Sequence, residues 1–165
     1  MATASVATTS PAQGFQPAFK RVAQSNDFDC AFACIAMIVN RPLDEVRKVA
    51  IERFKHPKHG PYVYMNDELI AKLFAHWSFR STAYIETNGV ASLPDVAIGL
   101  VDYDSESDVG RHVVFVRQPG ATGKPSVEYI IDPAYWIEPN KQVRLEKGSS
   151  ISWHIGVVPQ KAEGK

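Results

Sequence analysis

The feature that most constrains the fold is an uninterrupted apolar run over residues 30–39, CAFACIAMIV. A segment without a polar face cannot lie at the surface, so this one must be covered on every side. Its Ala, Met and Cys residues favour a helix over a core strand, which periodicity alone would also permit. Asp27 or Asp29 can cap its beginning, and residues 40–42, Asn-Arg-Pro, end it. The chain therefore needs a core that surrounds one helix completely.

Length and composition are consistent with such a core. The chain has 165 residues, of which 45% are hydrophobic and 22% charged, as in an ordinary globular domain. Residues 1–18 are rich in Ala, Thr, Ser, Gln and Pro and show no periodicity. We therefore expect a flexible N-terminal arm over 1–18, followed by one domain over 19–165.

Charge and targeting signals narrow the range of partners. The formal net charge is zero, which gives no electrostatic reason to expect a nucleic-acid partner and permits homodimers. No apolar run approaches the roughly 20 residues that a bilayer span needs, and the N-terminus lacks the regions of a secretory signal. Two cysteines do not make a disulfide scaffold. We expect no membrane insertion, and either a cytoplasmic location or export as an effector without a recognisable signal peptide.

The rest of the chain divides into helices and then strands. Two more segments, Leu43 to Phe54 and Asn66 to Trp77, carry apolar residues at helical spacing. After Arg80 come short β-branched or aromatic segments separated by turn residues. They lie around 81–86, 97–103, 112–117, 127–131 and 151–158. This order predicts an α+β fold, with N-terminal helices packed on a C-terminal antiparallel sheet.

The two cysteines differ in their position on the predicted helix. Cys30 opens it, where unpaired N–H groups and the positive end of the helix dipole favour a thiolate. Cys34 lies one turn further in and lacks that advantage. Both could instead be small core residues, because free cysteine is often buried. Position alone leaves Cys30 balanced between a reactive thiol and a core residue.

A base and an orienting group are available on one predicted hairpin. His112 begins the segment HVVFV, and Asp132 ends the segment VEYIID, just before Pro133. A hairpin of these strands brings the start of the first near the end of the second, which predicts that His112 and Asp132 are neighbours. Taken singly, His112 could be a histidine at a strand edge and Asp132 a turn former.

Gln24 completes a set that nucleophilic thiol chemistry requires. It precedes Cys30 by six residues in AQSNDFDC, where its side-chain amide could donate to an oxyanion beside the Cys30 backbone N–H. Without the other residues, a surface glutamine in a loop would be the preferred interpretation.

Residues 24–38, QSNDFDCAFACIAMI, resemble the active-site segment of the bacteriocin-processing peptidases. Those are papain-like cysteine peptidase domains that trim double-glycine leader peptides. The segments RHVVFV and IIDPA resemble the family's histidine and aspartate segments, so the likeness covers roughly residues 20–135. It implies a papain-like fold in which Cys30 is the nucleophile, His112 the base, Asp132 the orienting residue and Gln24 the oxyanion donor. Ala31 departs from the family, which usually has glycine after the nucleophile.

The resemblance implies a cysteine peptidase that acts on a peptide or protein and needs no metal or organic cofactor. Two alternatives stay open: an acyl-transfer or deamidating effector of the same fold, transglutaminase-like, and a catalytically inactive binding module. His56 and His59 lie in a basic loop, but two histidines without a third ligand are weak evidence for a metal. Tyr135 and Trp136 follow Asp132 closely, where they could form a wall of the substrate cleft.

Overall fold

Over its described residues, the computed structural model contains three α-helices packed on one antiparallel sheet. Helices α1, α2 and α3 span Cys30–Val39, Leu43–Glu52 and Asp67–His76. Strands β1 to β7 span Phe79–Ser81, Ile85–Glu86, Val96–Asp104, Val109–Gln118, Val127–Ile131, Val143–Leu145 and Trp153–Pro159. The structure describes residues 17–27, 29–58, 66–107, 109–120, 122–146 and 148–160. The arm predicted over 1–18 lies almost entirely outside these residues.

The sheet has the strand order β1-β7-β3-β4-β5-β6, and β2 also pairs with β7. Every pairing between the described strands is antiparallel. The predicted α+β layout, with helices first and an antiparallel sheet second, is therefore confirmed in general form. Two details differ from the prediction. The segment predicted over 81–86 is interrupted between Ser81 and Ile85, and β6 was not predicted, because three residues are too few to show an alternating pattern.

Helix α1 is enclosed as its composition predicts. All ten of its residues are buried, and most of them join the larger apolar cluster of the protein. That cluster also contains residues of the other two helices and of strands β3, β4, β5, β6 and β7. The helix ends at Asn40, which adopts a left-handed conformation with φ of 60°. Asparagine tolerates this conformation better than most residues, so the predicted break is confirmed.

Strand β4 sorts its side chains between two apolar clusters. Val114 and Val116 belong to the larger cluster with α1, whereas Val113 and Phe115 belong to a smaller cluster on the other face of the sheet. Successive side chains of a strand point to opposite faces. His112 therefore shares the face of Val114 and points toward α1, and Arg111 shares the face of Val113 and points away.

We expect Ile35→Ala to lower the free energy of unfolding by about 3 kcal/mol, because it leaves a cavity in a closely packed core. Ile35 is completely buried. Urea denaturation followed by far-UV circular dichroism measures the change. The matched control is Leu145→Ala, at a site that is 56% exposed, where a change within about 0.5 kcal/mol is expected. Equal effects at the two sites would contradict the central position of α1.

Candidate active site

Cys30 is the first residue of α1, and the loop before it is tied together by Asp29. The Asp29 carboxylate accepts hydrogen bonds from the Ser25 N–H at 3.1 Å, the Ser25 hydroxyl at 2.7 Å and the Asn26 N–H at 3.2 Å. Asp29 occupies the N-cap position, but its side chain makes no capping bond to the helix. The carboxylate thus shapes the loop and does not cover the N–H groups of the first turn, beside which Cys30 lies.

His112 contacts Cys30 through both its ring and its backbone. The Cys30 Sγ lies 3.2 Å from Nδ1 of His112, and the His112 backbone N–H donates to the same sulfur at 3.3 Å. This backbone group is available because β5 pairs with β4 only as far as Val114. The structure therefore brings together the two residues that a thiol–imidazole pair requires.

Burial keeps both members of this pair neutral in the free protein. Cys30 is 8% exposed and His112 is 6% exposed. Burial lowers the pKa of His112 to about 4. Burial also raises the pKa of the Cys30 thiol, although the N–H of His112 and the charge of Arg111 oppose this. A thiolate forms here when the thiol proton moves to Nδ1, since each ion then has the other as its counter-charge.

Tyr84 contacts the other nitrogen of the His112 ring. Its hydroxyl oxygen lies 2.9 Å from Nε2 of His112. Tyr84 is half-buried in the connection between β1 and β2, and its backbone N–H donates to the carboxylate of Asp67 at 3.0 Å. Asp67 is the first residue of α3, so the start of that helix holds the tyrosine in place. No sequence motif marked Tyr84, which lies 28 residues before His112.

Asp132 does not make the predicted hydrogen bond to His112, and this corrects the expected triad. Its carboxylate accepts two bonds from Arg111, at 2.8 and 3.2 Å, and one from Arg144 at 3.0 Å. The Ala134 N–H donates to it at 3.0 Å. Burial alone would raise the pKa of Asp132, but these donors outweigh it and hold that pKa below its ordinary value. Asp132 is therefore a buried anion of an arginine cluster.

The register of the hairpin explains the correction. Strands β4 and β5 do pair as predicted, with Val114 opposite Ile131. Continuing this pairing by one residue places Asp132 opposite Val113, and directly opposed residues point to the same face. Asp132 thus lies on the face of Arg111, and His112 lies on the other. Closeness along the hairpin was predicted correctly, but the alternation of side chains separates the two.

Arg111 and Arg144 both bind the Asp132 carboxylate, and no sequence motif marked either of them. Arg111 also donates through Nε to Asp102 at 2.9 Å. Burial alone would lower the pKa of Arg111, but its bonds to Asp132 and Asp102 outweigh burial and raise that pKa above its ordinary value. Asp102 adopts a left-handed conformation with φ of 54° at an irregularity in β3. The alternation of side chains along residues 111–113 could have predicted that Arg111 points away from α1. Its partners, however, depend on how β4 is aligned with β3 and β5, which that alternation does not determine.

Gln24 is buried behind the Cys30 loop. It is 2% exposed, and its backbone N–H donates to the carbonyl of Pro133 at 2.8 Å. Its side-chain Nε2 donates one hydrogen to the carbonyl of Asn26 at 2.8 Å, whereas Oε1 has no hydrogen-bond partner among the described residues. An amide carries two hydrogens on nitrogen, so the second one remains for another acceptor. The predicted role of Gln24 as an oxyanion donor stays a prediction.

Tyr135 and Trp136 present exposed rings beside the same loops. Tyr135 is 54% exposed and donates its hydroxyl to Asp27 at 2.7 Å. Trp136 is 50% exposed, and the guanidinium of Arg111 lies 5.8 Å from the centre of its ring. The aromatic pair therefore lies between the loop that leads to Cys30 and the residue that precedes His112.

His56 and His154 each pack against a neighbouring side chain away from Cys30. His56 packs edge-on against Phe32, with ring centres 5.2 Å apart, and His154 Nδ1 lies 2.9 Å from the Thr87 hydroxyl. His59 lies outside the described residues. Within the part of the chain that the structure describes, no three His, Cys, Asp or Glu side chains cluster as metal ligands. The helices in that part are too short or too polar to cross a membrane.

We expect Asp132→Asn to destabilise the protein by about 3 kcal/mol, because it leaves two arginines without their buried partner. Urea denaturation measures this. The rate at which iodoacetamide alkylates Cys30 in the folded variant should stay unchanged, since Asp132 does not contact His112. Slower alkylation at unchanged stability would instead support an orienting role for Asp132.

The pKa of His112 predicts a loss of stability in mild acid. Above its unfolded pKa of about 6.5, His112 is neutral in both states and contributes nothing. As the pH falls from there toward about 4, only the unfolded chain takes up the proton, and stability falls. The loss between pH 7 and 4.5 should be about 2 to 3 kcal/mol greater than in His112→Gln. Denaturation of both proteins at the two pH values tests this, and parallel pH profiles would contradict it.

The comparison with known proteins adds no family assignment. No protein-family model matches the chain, and no curated protein is significantly similar to it.

Proposed function

We propose that this protein is a cysteine peptidase of papain-like fold, with Cys30 as nucleophile and His112 as base. The observation that carries the proposal is the 3.2 Å contact between Cys30 Sγ and His112 Nδ1, which are 82 residues apart in sequence. The contact joins the start of a buried helix to a strand of an antiparallel sheet. The resemblance of residues 24–38 to the bacteriocin-processing peptidases supports the same assignment independently of this distance.

The pair of Cys30 and His112 can form an acyl-enzyme on the Cys30 sulfur. The Cys30 thiol gives its proton to Nδ1 of His112, and the sulfur attacks the carbonyl carbon of the substrate. The tetrahedral intermediate collapses when the imidazolium returns that proton to the leaving amine, and an acyl thioester remains. Water then enters, His112 takes one of its protons, and hydroxide attacks the thioester. The carboxylic acid leaves as the imidazolium protonates the Cys30 sulfur, which restores the neutral pair.

The oxyanion has two candidate donors at the start of α1. One is the Cys30 backbone N–H in the first turn, and the other is the remaining N–H of the Gln24 amide. The burial of Gln24 and its bond to Asn26 support this role, because both restrict the orientation of the amide. Removing one such donor typically slows catalysis about a hundredfold or more. The substrate class is a peptide or protein, and the thioester could be resolved by an amine as well as by water.

A non-catalytic binding module is the second candidate. The observation that favours it is the engagement of Asp132 by Arg111 and Arg144, which leaves His112 without a carboxylate partner among the described residues. An imidazolium without that partner is less stable, so proton transfer from Cys30 is less favourable. The two candidates make opposite predictions for the reactivity of Cys30.

We expect limiting iodoacetamide at neutral pH to modify Cys30 and to spare Cys34, which is completely buried with a pKa raised well above its ordinary value by burial. In His112→Ala, labelling of Cys30 should slow about a hundredfold, the contribution of a positioned general base. Peptide mapping by mass spectrometry measures both sites in one experiment.

The control for this experiment is Cys34→Ala, which should leave the labelling of Cys30 unchanged. Slow and equal labelling of the two thiols, indifferent to His112→Ala, would overturn the peptidase proposal and favour the binding module. If Cys30 proves reactive, the mass of products from a peptide library separates hydrolysis, which yields fragments, from deamidation, which adds about one dalton to an intact peptide.

A further inference from the structure

The His112 ring nitrogen that faces away from Cys30, Nε2, contacts the hydroxyl of Tyr84 and not the predicted carboxylate of Asp132. The Tyr84 hydroxyl lies 2.9 Å from Nε2 of His112, and the two ring centres are 6.2 Å apart with an interplanar angle of 41°. These values describe an edge contact through the hydroxyl and not a stacked pair of rings. The contact occupies the ring position at which a catalytic triad places its third member.

The position of the single ring hydrogen on neutral His112 determines which partner donates to Nδ1 and which accepts from Nε2. The Cys30 thiol can donate to Nδ1 of His112 only if that nitrogen carries no hydrogen. A neutral imidazole then carries its hydrogen on Nε2 and donates it to the Tyr84 oxygen. The opposite tautomer would place a hydrogen on Nδ1, and that nitrogen could then not accept the thiol proton. The phenol oxygen of Tyr84 lies where it can accept the Nε2 hydrogen, so it can stabilise the tautomer that acts as a base.

We propose that Tyr84, and not Asp132, is the residue that positions His112 for proton transfer from Cys30. The inference rests on the proposed function. Tyr84 is held in place independently of Cys30, because its backbone N–H donates to Asp67 at the start of α3. A phenol is a neutral acceptor, so it orients the imidazole but supplies no counter-charge to the imidazolium.

This arrangement distinguishes the site from a triad with a carboxylate. Of the described titratable groups, Cys30 on α1 and Tyr84 beside β2 contact the His112 ring. Arg111 and Asp132 lie on the opposite face of the sheet and bind each other. Within the described part of the chain, the thiolate is then the one negative group in contact with the imidazolium, and the ion pair forms during the reaction and not before it.

The test compares Tyr84→Phe with the matched control Tyr129→Phe. Tyr129 is also a phenol held by hydrogen bonds, since its hydroxyl donates to Gln118 and accepts from the Ala18 N–H, but it lies in the core away from His112. Two quantities are measured at neutral pH: the rate at which iodoacetamide modifies Cys30, and the tautomer of His112 by nitrogen-15 NMR of the imidazole ring. His112→Gln serves as the reference for loss of the base.

Tyr84→Phe should lower the alkylation rate about fivefold, the effect of one ordinary hydrogen bond, and should shift the tautomer population away from the form protonated on Nε2. Tyr129→Phe should change neither quantity. Unchanged tautomer and rate in Tyr84→Phe, with a strong effect of His112→Gln, would overturn the role of Tyr84 and leave the catalytic pair intact. A tautomer shift in Tyr84→Phe, with no effect of His112→Gln on alkylation, would overturn the peptidase proposal and the role of Tyr84 in proton transfer, and would leave Tyr84 only as the group that sets the tautomer of His112.

Discussion

The packing of an entirely apolar helix against one face of an antiparallel sheet is the constraint on which the rest of this structure depends. Helix α1 has no polar side that could face water, so the sheet on one side and helices α2 and α3 on the others must enclose it. Its first residue is Cys30, and the strand beneath it begins near His112. The same packing that buries the helix thus brings the thiol and the imidazole to 3.2 Å.

The alternation of side chains on β4 divides the polar residues of this region into two groups. His112 points toward α1 and meets Cys30 and Tyr84. Arg111 points to the other face and meets Asp132. Because successive side chains of a strand point to opposite faces of the sheet, these two adjacent residues have different roles. His112 belongs to the candidate active site, and Arg111 holds the turn that follows β5.

Contacts around Asp132 connect the segment that leads to Cys30 with the turn that follows β5. Besides its carboxylate bonds, Asp132 accepts a hydrogen bond on its backbone oxygen from Arg21, which also binds the carbonyl of Ala134. The backbone N–H of Gln24 binds the carbonyl of Pro133, the next residue. The segment before Cys30 and the turn after β5 are therefore joined, and the aspartate acts on the loop architecture while the tyrosine acts on the histidine.

The sequence by itself determined the helix over 30–39, the order of helices before strands, the β4–β5 hairpin and the candidate pair of Cys30 and His112. The helix, the order and the hairpin follow from local composition and periodicity, which the chain carries in short segments. The candidate pair follows from the position of Cys30 at the start of that helix and from the resemblance of these segments to the bacteriocin-processing peptidases. Only the tertiary structure decided the partners of His112 and Asp132. Tyr84 reaches the imidazole through the pairing of β2 with β7 and the anchor at Asp67, and these contacts join segments distant in sequence. The face on which Asp132 lies depends on strand register, where a shift of one residue reverses every side chain, and no local pattern determines it.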